Sequence, residues 1–329
     1  MPRTITYSQA IVEAFAEELE RDPNVFYMGE DVGYGGVFGL SRGLQQRFGK
    51  SRVFDTPISE TLIVGAGVGA AITGTRPIVE LQFADFVAVA MDEIYNKAAK
   101  WRYMHGGQFK VPLVIFAPEG AIGGAGPEHS QCPEALFWSA PGLYVLTPGT
   151  VADMKGLLKS AIRDDNPVLV MPHKALLNTS GEVPDGEHLV PLGKAAILRE
   201  GKSITIVAWS VMVGKALEAA KRLAADGIDA EVIDPRGIRP FDFDAVINSI
   251  RKTGHVILVH EAPVVGGPAG EVAAVIAERA LTYLEAPIKR IGAADVPIPQ
   301  NASLERFVVP QVEDIVATAR EIVRAAAAA

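Results

Sequence analysis

Glu60 is the residue whose setting asks for chemistry. It heads the run Glu60-Thr61-Leu62-Ile63-Val64-Gly65-Ala66-Gly67-Val68-Gly69-Ala70, which is apolar and rich in glycine. Ser59, just before it, suits a helix N-cap, because its hydroxyl can accept from an orphan amide of the first turn. Gly65, Gly67, Gly69, Ala70 and Ala71 let a second backbone come close. A carboxylate at the mouth of a buried helix, short of water, needs a partner if it is to stay charged. Two readings stand at this point. Gly65–Ala70 fits the looser dinucleotide fingerprint, with Glu80 downstream, provided that Thr61–Val64 is a strand running into the glycines. Otherwise the helix begins at Glu60, and the question is what partners its carboxylate.

Other residues could do chemistry. His129 ends a glycine-rich loop, Gly120–Gly126, that follows the apolar run Val111–Ala117. Ligands of parallel sheets gather at such strand ends, and a histidine there is placed for proton transfer near neutral pH. On position alone it fits a surface loop equally well. Asp164-Asp165-Asn166-Pro167 follows a helix and offers oxygen ligands for a hard cation, or an ordinary turn into the next strand. The acids of Gly29-Glu30-Asp31-Val32-Gly33 could be functional or could be turn and capping residues, the second reading leading, and that loop lacks the Gly-Lys-Ser/Thr ending of a phosphate-binding loop. The six histidines show no metal-ligand spacing, and no Gly-x-Ser-x-Gly elbow occurs.

The elements that must position these groups alternate. Expected are a helix Ser8–Glu20, strands Val25–Met28 and Pro77–Phe83, a helix Val87–Tyr103, strands Val111–Ala117 and Leu143–Leu146, a helix Thr150–Arg163 and a strand Val168–Met171. A second alternating series runs from Ser203 to Ala325. Crossover units of this kind imply an α/β fold with two domains, each a mostly parallel sheet flanked by helices. Boundaries are expected at 1–180 and 201–329, with a polar linker over 181–200. The chain of 329 residues can bury two cores. A net charge of −8 argues against a nucleic-acid surface. The single Cys132 suits a reducing, cytoplasmic setting, and no apolar run is long enough to span a bilayer. The terminal alanines 325–329 read as a helix end without chemistry.

Taken together, the ordered segments resemble the beta subunit of the heterotetrameric 2-oxo acid dehydrogenases, the thiamine-diphosphate component of the pyruvate, branched-chain and acetoin complexes. Glu60 to Gly69 is similar to the thiamine-enzyme motif of Glu, four residues, Gly, an apolar residue, two residues and Gly. The likeness rests further on Gly29-Glu30-Asp31-Val32, Asp55-Thr56-Pro57-Ile58-Ser59-Glu60, Glu80-Leu81-Gln82-Phe83-Ala84-Asp85-Phe86 and Arg102-Tyr103-Met104. It continues in His129-Ser130-Gln131, Lys155-Gly156-Leu157-Leu158, Ile162–Pro167, Pro191–Ala195 and Asp295-Val296-Pro297.

The resemblance implies a transketolase-like pyrimidine-binding domain followed by a transketolase-like C-terminal domain. It implies that Glu60 hydrogen-bonds the N1′ nitrogen of the aminopyrimidine, favouring the tautomer that accepts the reactive proton. Gln82, Phe86 and Ile58 would line that pocket. His129 would assist acyl transfer to a lipoyl arm. Leu113, Ala161, Ile162, Asp164 and Asn166 match the family's potassium site, which would brace the His129 loop. The family's Gly-Asp-Gly motif for magnesium and diphosphate is absent from this sequence. An alpha subunit would therefore hold the Mg2+, in a heterotetramer of two alpha and two beta chains. A lipoyl-bearing dihydrolipoyl acyltransferase is the further partner. The implied reaction is oxidative decarboxylation of a small 2-oxo acid; acetoin cleavage is the alternative. Gly35-Gly36-Val37-Phe38 leans to branched-chain substrates, and Arg102-Tyr103-Met104-His105-Gly106-Gly107 to acetoin or pyruvate.

Overall fold

The computed structural model describes residues 2–328, and side chains as far as residue 324. The side chains of the terminal alanines therefore lie outside the described residues. Two units form, one of residues 1–120 and 136–192, the other of 121–135 and 193–329.

The first unit runs β1 (Arg3–Thr6), α1 (Tyr7–Arg21), β2 (Val25–Gly29), α2 (Leu44–Phe48), β3 (Val53–Asp55), α3 (Glu60–Ile72), β4 (Arg76–Glu80), α4 (Trp101–Met104), β5 (Val114–Phe116), β6 (Tyr144–Leu146), α5 (Val151–Arg163), β7 (Val168–Val170) and β8 (Ser180–Val183). Six of its strands lie side by side in the order β6-β7-β5-β4-β2-β3, all parallel, while β1 and β8 pair separately. β5 and β7 are buried at every residue, as expected of strands covered on both faces. β5 is shorter than the run Val111–Ala117, because Pro112 and Pro118 have no amide to give a ladder.

α1 packs on α5. Lys155 and Lys159, each 1% exposed, reach across that contact to Glu13, Glu17 and Glu187. Glu18, fully buried, is held by Arg21 and Arg163. These buried charges are paired, which is the condition for tolerating them.

The helix expected over Val87–Tyr103 is broken. A 3-10 turn spans Ala84–Ala88, a π-helix spans Glu93–Ala98, and only α4 is regular. Gly142, at φ +92°, approaches Ala99 so closely that a Cβ would stand 2.0 Å from its carbonyl oxygen. The irregular winding fits against that turn.

α3 starts at Glu60 and continues through all its glycines, none of which has positive φ. The strand that the dinucleotide fingerprint requires before Gly65 is therefore absent. Glycine has a different task here. A Cβ on Gly67 would lie 2.7 Å from Val79 Cγ1 and 2.9 Å from Leu113 Cδ1, so the helix sits down on the sheet. Gly69 has open space around it.

The second unit runs β9 (Ala196–Arg199), β10 (Ile204–Ala208), α6 (Met212–Ala224), β11 (Ala230–Asp234), β12 (Gly237–Arg239), α7 (Phe243–Thr253), β13 (Val256–Pro263), α8 (Ala269–Ala280), β14 (Lys289–Ala293), α9 (Ala302–Val308) and α10 (Val312–Ala328). A five-stranded sheet has the order β14-β13-β10-β11-β9, parallel except for β9. Alternation along β10 decides which helices cover which face. Ile204 and Ile206 join the apolar core with α6 and α10. Thr205 turns the other way and bonds Ser249 and Thr253 of α7 at 2.6 and 2.7 Å.

Two expectations about domain limits change. The segment read as a linker over 181–200 carries most of β8, paired antiparallel with β1, and all of β9, paired antiparallel with β11. Such short edge strands have no continuous apolar run to reveal them. Residues 121–135, with His129, belong to the second unit, not to the domain whose strand they follow.

Gly67 and Gly69, two of the three glycines of α3, should respond oppositely to alanine. Gly67→Ala overpacks the helix-sheet contact and should cost about 1–3 kcal/mol. Gly69→Ala should be neutral or gain up to about 1 kcal/mol from reduced chain entropy. Urea denaturation of both variants measures this, and equal midpoints would show that the close approach at Gly67 is not a constraint.

Candidate functional site

Glu30 follows β2, Ile58–Glu60 follow β3, and Gln82 follows β4, so all of them leave the carboxyl edge of the first unit's sheet. The edge is tied together by its backbone. Thr56 N–H donates to Gly29 O at 2.9 Å, and Gly33 N–H donates to Asp55 Oδ1 at 2.7 Å. Gly33 is needed there, since a Cβ would lie 2.8 Å from Asp55 Oδ2. Ser59 caps α3 by accepting from Leu62 N–H at 3.4 Å, which puts Glu60 in the first turn. A carboxylate in that position is favoured by the helix dipole.

Glu60 is half-buried, not enclosed. Around it Ile58 is 72% exposed and Leu62 55% exposed, so apolar side chains face outward beside the acid. Among the described residues no ion pair involves Glu60. Its charge acts on Glu30. The Glu30 carboxyl is pushed above its ordinary value by burial first, then by the charges of Asp31 and Glu60, while a hydrogen bond with Gln82 pulls the other way. Glu30, Glu60 and Gln82 therefore form one constellation. The role of Glu30 was not visible in its glycine-rich loop; its place directly after a buried strand was the available signal.

An aromatic wall stands on the same edge. Phe83 meets Phe86 edge-on at 5.7 Å and Phe38 edge-on at 5.3 Å. The buried Lys174 ammonium lies 5.2 Å from the Phe83 ring. Beneath the wall Glu80 is fully buried, accepts from the Tyr27 hydroxyl, and has its pKa pushed up to about 8 by burial. It is protonated at neutral pH and is part of the foundation, not an acid for a ribose. The edge thus presents a carboxylate, a carboxamide and a half-buried ring, Phe86. This donor set fits a flat heteroaromatic ring that offers one nitrogen to an acid.

The five residues expected to hold potassium do come together, at the amino ends of β5 and β7 and the end of α5. Most of their oxygens already accept hydrogen bonds. Leu113 O takes Val168 N–H at 2.9 Å, and Ala161 O takes Asp164 N–H at 3.3 Å. Arg76 donates to Ile162 O at 3.1 Å and to Asp164 O at 2.9 Å, and also pairs with Asp165. Asn166 Oδ1 takes Arg102 at 2.6 Å, and its amide donates to Asp164 Oδ1 at 2.8 Å. The guanidinium of Arg76, missed from sequence, already bridges this turn. The cluster lies at the amino edge of the first unit's sheet. His129 itself is half-buried in the second unit, and its N–H donates to Gly126 O at 3.3 Å.

Comparison with known proteins agrees with this layout. The family described as transketolase, pyrimidine binding domain, matches residues 3–180, and that described as transketolase, C-terminal domain, matches 193–315. The chain is 46% identical to the pyruvate dehydrogenase E1 component subunit beta-1, mitochondrial, of Arabidopsis thaliana, over 95% of this chain and 88% of that one. It is 44% identical to the 2-oxoisovalerate dehydrogenase subunit beta of Bacillus subtilis, over 97% and 98%. It is 42% identical to the acetoin:2,6-dichlorophenolindophenol oxidoreductase subunit beta of Cupriavidus necator, over 98% and 99%. A solved structure described as a split gene transketolase, inactive beta4 tetramer, superposes with a TM-score of 0.80 at 28% identity, covering 97% of this chain and 98% of that one.

Glu80 sets a pH dependence. A carboxyl whose pKa is higher folded than unfolded stabilises fully below its unfolded value, and that contribution is lost as pH rises toward about 8. Between about pH 5 and 8 the protein should lose up to about 1.4 kcal/mol of stability per pH unit from this group. Glu80→Gln, whose oxygen can still accept from Tyr27, should flatten that part of the curve. Urea midpoints across the range test it; parallel curves for the two proteins would contradict it.

Proposed function

Because this chain belongs to the beta subunits of the 2-oxo acid dehydrogenases, built on the two transketolase domains, we propose that it supplies the aminopyrimidine half of a thiamine-diphosphate site for oxidative decarboxylation of a 2-oxo acid. One observation carries this reading: the Glu60 carboxylate, in the first turn of α3, shares the sheet's carboxyl edge with Gln82 and the half-buried Phe86. When bound, the coenzyme supplies an acidic C–H and an electron sink for decarboxylation. Glu60 accepts a hydrogen bond at the ring nitrogen N1′ and so governs where the exchangeable proton resides. Gln82 holds the polar rim, Phe86 offers its ring, and Ile58 gives apolar contact. His129 moves a proton during acyl transfer to the lipoyl group of a partner acyltransferase.

The other half of the site is assigned to an alpha subunit that holds the diphosphate and Mg2+. Three facts support this. The relatives are named as beta subunits, no Gly-Asp-Gly occurs in this sequence, and apolar Ile58 and Leu62 stand exposed beside Glu60. The assembly is a heterotetramer. Potassium would share the oxygens of Leu113, Ala161, Ile162, Asp164 and Asn166, mostly backbone carbonyls, since a carbonyl oxygen that accepts one hydrogen bond keeps a second lone pair. Pyruvate and branched 2-oxo acids are the substrates favoured by the relatives; acetoin is the second reading, on the 42% identity to the acetoin enzyme's subunit.

The test is reconstitution with an alpha chain that carries Gly-Asp-Gly. Glu60→Ala should lower carbon dioxide release by roughly 10²–10⁴-fold. Near-normal turnover would remove Glu60 from the chemistry. His129→Ala should spare turnover with an artificial electron acceptor more than acylation of a lipoyl domain; equal losses would refute that division. The melting temperature should rise when Na+ is replaced by K+ at constant ionic strength, as for any ion bound only by the folded state. An unchanged melting point would leave Arg76 as the sole bridge of that turn.

A further inference from the structure

The glycine-rich stretch 120–126 has so far no task beyond carrying the chain toward His129. In the second unit its backbone is gripped by two carboxylates from remote parts of the sequence. Glu305 of α9 accepts from Gly123 N–H through Oε1 at 2.7 Å and from Gly124 N–H through Oε2 at 2.6 Å. Glu261 of β13 accepts from Ala121 N–H at 2.7 Å, and its same oxygen lies 3.7 Å from Cys132 Sγ. The loop is therefore held before His129 and after it.

Glu305 is the more telling of the two. It is 7% exposed and is the buried residue of α9, whereas its neighbours Leu304 and Phe307 are 57% and 88% exposed. Val308 at the end of α9 packs against the core, but along the rest of the helix an acid is buried and the large apolar side chains are exposed. Its geometry is fixed independently of the loop. Asn301 caps it by accepting from Ser303 and Leu304 N–H at 2.9 and 3.3 Å, and Val309 N–H donates to Glu305 O at 3.0 Å. A carboxylate taking two successive amides makes charge-assisted bonds at both oxygens and so specifies the orientation of both peptide planes. The glycines complete the seat. Gly123 and Gly124 have φ of +93° and +113°, and a Cβ on Gly124 would lie 2.5 Å from Gln300 O. The backbone must be bare there for the loop to reach the acid.

We propose that Glu305 is a positioning residue for His129, acting through the backbone of the glycine loop. The proposal rests on the reading of His129 as the group that serves acyl transfer. The second unit thereby sets the geometry of His129 through residues of its own. Glu305→Gln keeps the shape but turns an N–H group toward an N–H donor, so one of the two bonds is lost.

The experiment uses the reconstituted enzyme with its alpha subunit and a lipoyl domain. In Glu305→Gln, lipoyl acylation should fall at least about tenfold while turnover with an artificial acceptor stays within about threefold, the pattern of His129→Ala. Hydrogen exchange of the amides in 121–126 should quicken at least about tenfold. The double variant with His129→Ala should be no slower than His129→Ala alone, since both act through one group. Unchanged exchange, or losses that multiply in the double variant, would overturn the proposal while leaving the role of His129 intact. Normal lipoyl acylation by His129→Ala itself would overturn that role, and the proposal with it. If Glu305→Gln does not fold, Gly124→Ala unseats the loop from its own side and should give the same split between the two assays; equal loss in both would count against it.

Discussion

A carboxylate taken out of water must be given a hydrogen bond, a counter-charge or a proton. The molecule uses each remedy at a different place. Glu18, fully buried between α1 and α5, has the guanidinium groups of Arg21 and Arg163. Glu305 has two backbone amides. Glu80 keeps its proton, with the Tyr27 hydroxyl against its other oxygen. Glu60 alone of these four is left half-exposed, with a second acid beside it. That leaves Glu60 as the one of these four with its carboxylate open to a bound group.

The rest of the first unit serves this edge. Parallel strands bring Glu30, Glu60 and Gln82 to one side because each leaves a strand at its carboxyl end. The tight seat of α3 on β4, through Gly67, fixes where the first turn of that helix begins. At the opposite edge Arg76 ties the end of α5 to the sheet through carbonyl oxygens. The second unit contributes differently. Its sheet supports Glu261 and its α9 supports Glu305, and together they hold the loop that bears His129.

Much of the chemistry was legible from residue types. An N-cap serine before Glu60, glycine spacing and the ordered motifs marked the acid, the amide and the ring. Helix α5 was expected over Thr150–Arg163 and forms over Val151–Arg163, with Thr150 as its cap. What failed was of another kind. The helix expected over Val87–Tyr103 breaks into π and 3-10 turns against the Gly142 turn, a neighbour distant in sequence. The edge strands β8 and β9 hid in polar sequence because an edge pairs through its backbone, not through an apolar run.

The sequence by itself determined the family and the two α/β units and singled out Glu60, Gln82 and Phe86 as candidates, because periodicity, capping and motif spacing are local properties of the chain. Only the tertiary structure decided that Glu30 stands with Glu60, that Arg76 donates to carbonyl oxygens of the turn expected to hold potassium, and that residues 121–135 answer to the second unit. Those facts depend on which buried oxygen each donor can reach. A bond such as Gly124 N–H to Glu305 joins residues 181 positions apart, and no local pattern encodes it.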